Sequence, residues 1–160
     1  MTTASDALVT AYEAAVKENP RRRIGNITVD PAGENFEVVL IDLPEPGGSN
    51  VSGSSLTVSR GAGTITAVKR ITVALSPYGA GDINASTISG RQAFDSALTA
   101  VKGYETYDKE GRLTVEFAGQ VYRVTFPLPA SQKVSRGPDY AFQVWVDVVS
   151  GQVVRVLVPS

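Results

Sequence analysis

The chain has 160 residues, 42% hydrophobic and 19% charged, with 15 basic and 16 acidic side chains for a formal charge of −1, and it contains neither cysteine nor histidine. A chain of this size buries roughly 70% of its unfolded surface and has the composition of a folded domain, while its balanced charge offers no field to gather nucleic acid or an anionic membrane. Lack of cysteine excludes disulfides, thiolate catalysis and iron–sulfur ligation, and lack of histidine excludes a Ser-His-Asp relay and any histidine-bearing metal site, so no cofactor or metal is expected.

Ser5 and Asp6 suit a helix start, and Leu8, Ala11, Tyr12, Ala15 and Val16 recur at the three- and four-residue spacing of an amphipathic helix that Asn19-Pro20 stops. Met1 to Ser5 lacks the basic head and apolar block of an export signal, and no apolar run approaches the roughly 20 residues of a bilayer span. A membrane link is therefore expected only through an anchor outside this sequence. Arg21, Arg22 and Arg23 are the one dense basic cluster, suited to compensating the helix end or to docking on an acidic partner or lipid headgroup.

Ile24 to Val29 and Asn35 to Leu43 predict a hairpin across Asp30-Pro31-Ala32-Gly33. Pro44 to Ser54, rich in proline and glycine, predicts an exposed loop, and Ser55 to Ser59 with Thr64 to Leu75 a second hairpin around Gly61 and Gly63. Pro77 to Gly90 predicts a connector with a boundary near Asp82, dividing units 1–81 and 82–160. A second helix is predicted from Arg91 to Lys102, with Gly103 as its left-handed terminator. Arg112 to Phe117 and Gln120 to Phe126 pair across Ala118-Gly119, Pro127 to Asp139 forms a second long loop, and Tyr140 to Val148 pairs with Gln152 to Val158.

The order of these elements repeats. Leu8, Ala11, Tyr12 and Ala15 correspond to Phe94, Ala97, Leu98 and Val101 about 86 positions later, and Val58, Gly63, Ile65 and Val68 correspond to Val146, Gly151, Val153 and Val156. The expectation is an α+β protein of two related units, each a helix packed on its own four-stranded antiparallel sheet. Half the chain would be marginal alone, so the units should share an interface.

The stretch Val146-Asp147-Val148-Val149-Ser150-Gly151-Gln152-Val153 resembles the closing hairpin of the PepSY family, whose usual form is Val-Asp-x-x-Thr/Ser-Gly-x-Val. With the preceding helix, the resemblance covers about 70 residues. It implies two tandem PepSY-like copies, each a helix on an antiparallel meander similar to the cystatin-like arrangement. It further implies an extracytoplasmic bacterial domain, in the cell envelope or secreted, without catalysis of its own, found beside peptidases as an inhibitory propiece, alone, or in tandem in membrane reductase-like proteins. Two features depart from the family pattern: Ser59 stands where the first copy would carry the aspartate, and the two long loops enlarge a normally compact meander.

Strand alternation directs Phe142, Val144 and Val146 toward the helix, which sends Gln143, Trp145 and Asp147 to the other face, where neighbouring strands add Arg123 and Arg155. Tryptophan flanked by arginines suits protein or peptide recognition. The competing reading is that the other half of the chain, or a second copy, covers this face; the apolar run Val38 to Leu43 points to sheets buried on both sides. The two long loops, Pro44 to Ser54 and Pro127 to Asp139 with its Val134, Ser135 and Arg136, complete the expected partner-binding surface.

Other candidates have simpler readings. Asp147 caps its turn, and Asp30, Glu34, Glu37, Asp42 and Glu45 serve solubility, turns and edge protection. Ser131 or Ser135 near Lys133 is formally a serine–lysine pair, but a Pro/Gly loop seldom buries a lysine. The functional expectation is a non-catalytic binding module. A structural or assembly subunit of a surface appendage or membrane complex, self-associating through sheet edges, is the alternative, and an inhibitor of a secreted enzyme is a third reading.

Overall fold

In the computed structural model, residues 2–45, 50–74, 83–103, 107–129 and 140–158 are described. Helix α1 (Ala4–Glu18) starts one residue before the predicted serine because Thr3 is its cap: the Thr3 hydroxyl accepts from the Asp6 N–H at 3.1 Å and the Asp6 carboxylate accepts from the Thr3 N–H at 3.0 Å. Helix α2 (Gly90–Ala100) repeats this reciprocal cap with Ser89 and Gln92. Each helix buries an alanine-rich stripe around one large anchor, Ala7, Leu8 and Ala11 in α1 and Ala93, Phe94 and Ala97 in α2.

The strands are β1 (Ile24–Ala32), β2 (Asn35–Asp42), β3 (Asn50–Ser59), β4 (Ile65–Ala74), β5 (Leu113–Phe117), β6 (Val121–Pro127), β7 (Tyr140–Asp147) and β8 (Val153–Leu157). All pair antiparallel in a single sheet of order β4-β3-β2-β1-β5-β6-β7-β8. This corrects the expectation of two four-stranded units. The order of helix then four strands does occur twice, but β1 and β5, which would each be an open edge of a separate unit, pair with one another through Ile27↔Val115, Thr28↔Thr114 and Val29↔Leu113. Joining them satisfies two rows of backbone donors and acceptors that would otherwise invite foreign strands.

Both helices feed one core, which runs from Ile24, Phe36 and Leu40 to Tyr122, Phe126 and Val144. Helix α2 packs against β1 as well as β5, β6 and β7, so it straddles the seam. Gly90 permits this: a Cβ there would lie 1.9 Å from the Gly25 carbonyl oxygen on β1. Further ties cross between the halves. The Ala4 N–H donates to the Lys109 carbonyl at 2.8 Å, Arg60 pairs with Glu110 at 2.7 Å, and the Phe117 N–H donates to Asn26 Oδ1 at 2.6 Å; within the second half, the Tyr122 hydroxyl donates to the Ile88 carbonyl at 2.7 Å. The boundary expected near Asp82 lies outside the described residues.

Two local expectations also change. The last part of the predicted loop Pro44 to Ser54 is strand, since β3 begins at Asn50; Ser54 is buried there because its hydroxyl accepts from Arg22 at 2.8 Å. The run Val38 to Leu43 is not buried on both sides: Val38 and Leu40 are fully enclosed, whereas Val39 and Ile41 stay partly exposed on the face opposite the helices.

Candidate functional site

The helices occupy one face of the sheet, and among the described residues no helix or strand is layered over the other. Trp145 stands on that bare face, because its neighbours Val144 and Val146 are fully buried on the helix side. Register then determines its company. Arg123 on β6 lies directly opposite Trp145, and Arg155 on β8 lies opposite it from the other side. Each guanidinium carbon sits 5.2 Å from the indole centroid, so the ring is held between two cations.

A chain of hydrogen bonds fixes the indole. Its Nε1–H donates to Gln143 Oε1 at 2.8 Å, and Gln143 Nε2 donates to the Thr125 hydroxyl at 3.2 Å. Arg123 is a further 3.7 Å from Glu116, while its buried Nε has no hydrogen-bond partner among the described residues. The sequence-predicted residues Trp145, Arg123, Arg155 and Gln143 are thus one cluster. Val134, Ser135 and Arg136 lie outside the described residues, as do Ser131 and Lys133.

Asp147 is a turn residue. One carboxylate oxygen accepts from the Val149 N–H at 3.0 Å and the Ser150 N–H at 2.7 Å, and these bonds, that from Ser150 foremost, hold its pKa below the usual carboxylate range. Gly151 follows with φ 72°, and its N–H returns to the Asp147 carbonyl at 3.1 Å. The β3–β4 turn has the same pattern: Gly63 has φ 71°, its N–H donates to the Ser59 carbonyl at 2.8 Å, and the Ser59 hydroxyl accepts from the Ala62 N–H at 3.2 Å. Ser59 therefore performs the aspartate's capping role with one bond where Asp147 makes two.

The arginine cluster after α1 has specific partners. Arg22 is committed to Asp42, the Ser54 hydroxyl and the Leu40 carbonyl, and Arg23 donates at 2.9 Å to both the Asn84 and Thr87 carbonyls ahead of α2. These two side chains tie segments together. The carboxylates are engaged similarly, Asp42 by Arg22, Asp30 by Arg112 at 3.3 Å and Glu37 by the Thr57 hydroxyl at 2.8 Å.

Two depressions are lined by other residues than this cluster. One of about 70 Å³ is lined by Ile41, Leu43, Pro44, Val51, Val73 and Phe117 among others. A larger groove of about 380 Å³ runs between the end of α1 and strands β3 and β4, but its charges Arg22 and Asp42 already satisfy one another. Among the described residues no group of three acidic side chains could hold a metal ion, and no helix is long and apolar enough to cross a membrane.

No family model matches the chain, and no curated protein matches it. A crystal structure of a candidate lipoprotein from Clostridium difficile 630 is similar over 92% of this chain and 89% of its own, with 11% identity and a TM-score of 0.45. That likeness is too distant to bear on function or location.

Proposed function

We propose that the protein is a non-catalytic binding module that recognises a protein or peptide through the helix-free face of its sheet. The observation that carries this reading is the indole of Trp145 held between Arg123 and Arg155 and fixed by Gln143. An aromatic ring already immobilised loses little conformational freedom on binding, and tryptophan and arginine dominate the energetics of protein interfaces. The neighbouring Glu116 and Thr125 add polar groups for orientation. The PepSY-like closing hairpin favours an accessory or inhibitory role in the cell envelope or outside the cell.

The test is comparative capture of partners from envelope and secreted fractions by the wild type and by Trp145→Ala, with circular dichroism establishing that both are folded. Loss of the captured partner with Trp145→Ala supports the sheet face. Undiminished capture of every partner refutes it. A variant lacking Val134 to Gly137 distinguishes the inhibitor reading, in which a loop enters an enzyme's cleft and Trp145→Ala binds normally.

A further inference from the structure

The two borders of the sheet are built differently. β4 carries Lys69 and Arg70 side by side at its centre, one toward each face, so both surfaces of that edge are charged. β8 carries no such guard. Val153, Val154, Val156 and Val158 are 36%, 58%, 41% and 56% exposed, and the single charge of the strand, Arg155, is drawn over Trp145. Val156 lies opposite the fully buried Val144, which places its side chain on the helix side, where α2 covers β7 and only borders β8.

We propose that β8 is a self-association edge: it pairs antiparallel with β8 of a second copy across a twofold axis, continuing the sheet from one molecule into the other. A second copy is the fitting occupant because the apolar row is self-complementary. A twofold axis perpendicular to the sheet keeps both helix faces on one side, so it can set only residues of the same face opposite each other. Centring on Arg155 would oppose two guanidiniums on the open face, which like-charge repulsion disfavours. Centring on Val156 sets Val156 against its own copy, Val154 against Val158, and Arg155 against Leu157. Charge thus excludes the Arg155-centred register, and the valine pairs favour Val156 over Val154, whose centring would set Val156 against Gln152. The same pairing at β4 would bring its Lys69-Arg70 segment against itself, so the association closes as a dimer and does not propagate.

Because the chain has no cysteine, single introduced thiols report this register directly. Directly opposed Cβ atoms in an antiparallel pair lie about 4.5–5.5 Å apart, close to what a disulfide spans. Under mild oxidation Val156→Cys is expected to form a covalent dimer far faster than Val68→Cys, which is the more open of the two, at 58% exposed on the opposite edge. Val154→Cys and Val158→Cys are expected to cross-link when mixed and not when separate. By sedimentation velocity the wild type should double in mass with rising concentration, and Val156→Lys should stay monomeric with an unchanged unfolding midpoint. A wild type that is monomeric throughout, Val156→Cys no faster than Val68→Cys, or Val156→Lys that still dimerises would each overturn the proposal.

Discussion

Gly90→Ala probes the contact on which the single core depends. In most helices this exchange is favourable, since alanine exceeds glycine in helix propensity by about 1 kcal/mol at interior positions. Here the new methyl carbon would lie 1.9 Å from the Gly25 carbonyl oxygen and 3.0 Å from its carbon. The obstacle is backbone in the middle of the sheet, so no rotamer change relieves it, and α2 must lift from β1. Overpacking of this kind costs about 1–3 kcal/mol. Gly90 is the first residue of the helix, where the terminus can shift and propensity counts least, so the middle of that range, about 2 kcal/mol, is the expected net loss. For a domain of this size that lowers the melting temperature by about 4–8 °C. Urea unfolding should show a lower midpoint with an unchanged slope, because the same surface is exposed. A variant as stable as the wild type would mean that α2 does not rest on β1.

Two further substitutions test the hydrogen bonding. Asp147→Asn should lower stability near neutral pH by about 1 kcal/mol, the range of a charge-assisted bond at a partly exposed site. Because the folded pKa of Asp147 is depressed, its contribution is complete above the unfolded value of about 3.9 and is lost as pH falls through the folded value. The stability gap between wild type and Asp147→Asn should therefore close in acid, and a gap independent of pH would contradict the assignment. Tyr122→Phe removes the bond to the Ile88 carbonyl and should cost about 1–3 kcal/mol in urea unfolding. Burial raises the Tyr122 pKa, so its contribution should fade above about pH 10, where the unfolded phenol ionises.

Local structure was legible in the sequence wherever one residue sets one dihedral or one face. The i, i+3, i+4 stripes of α1 and α2, the left-handed glycines Gly63, Gly119 and Gly151, and the alternation of β7 led to the observed elements and to the side of the sheet that carries Trp145. Hairpin registers then brought Arg123 and Arg155 to it, since both are short-range consequences of the turns at Gly119 and Gly151. The pairing of β1 with β5 was not legible. No local signal tells a strand whether its free edge meets water, a loop or a strand some 85 positions away. The same ignorance of long-range partners hid the strand conformation of Asn50 to Ser54, whose small polar residues read as a loop until Arg22 claims Ser54 from across the sheet. It also hid the roles of Arg22 and Arg23, whose acceptors lie 18 to 64 residues away.

The single continuous sheet is tested most directly by nuclear magnetic resonance at the seam. Cross-strand proton contacts should connect Ile27 with Val115, Thr28 with Thr114 and Val29 with Leu113, and the slowest-exchanging amides of β1 and β5 should report one shared unfolding free energy. Absence of those contacts, with the strands before and after the connector exchanging at separate free energies, would contradict it.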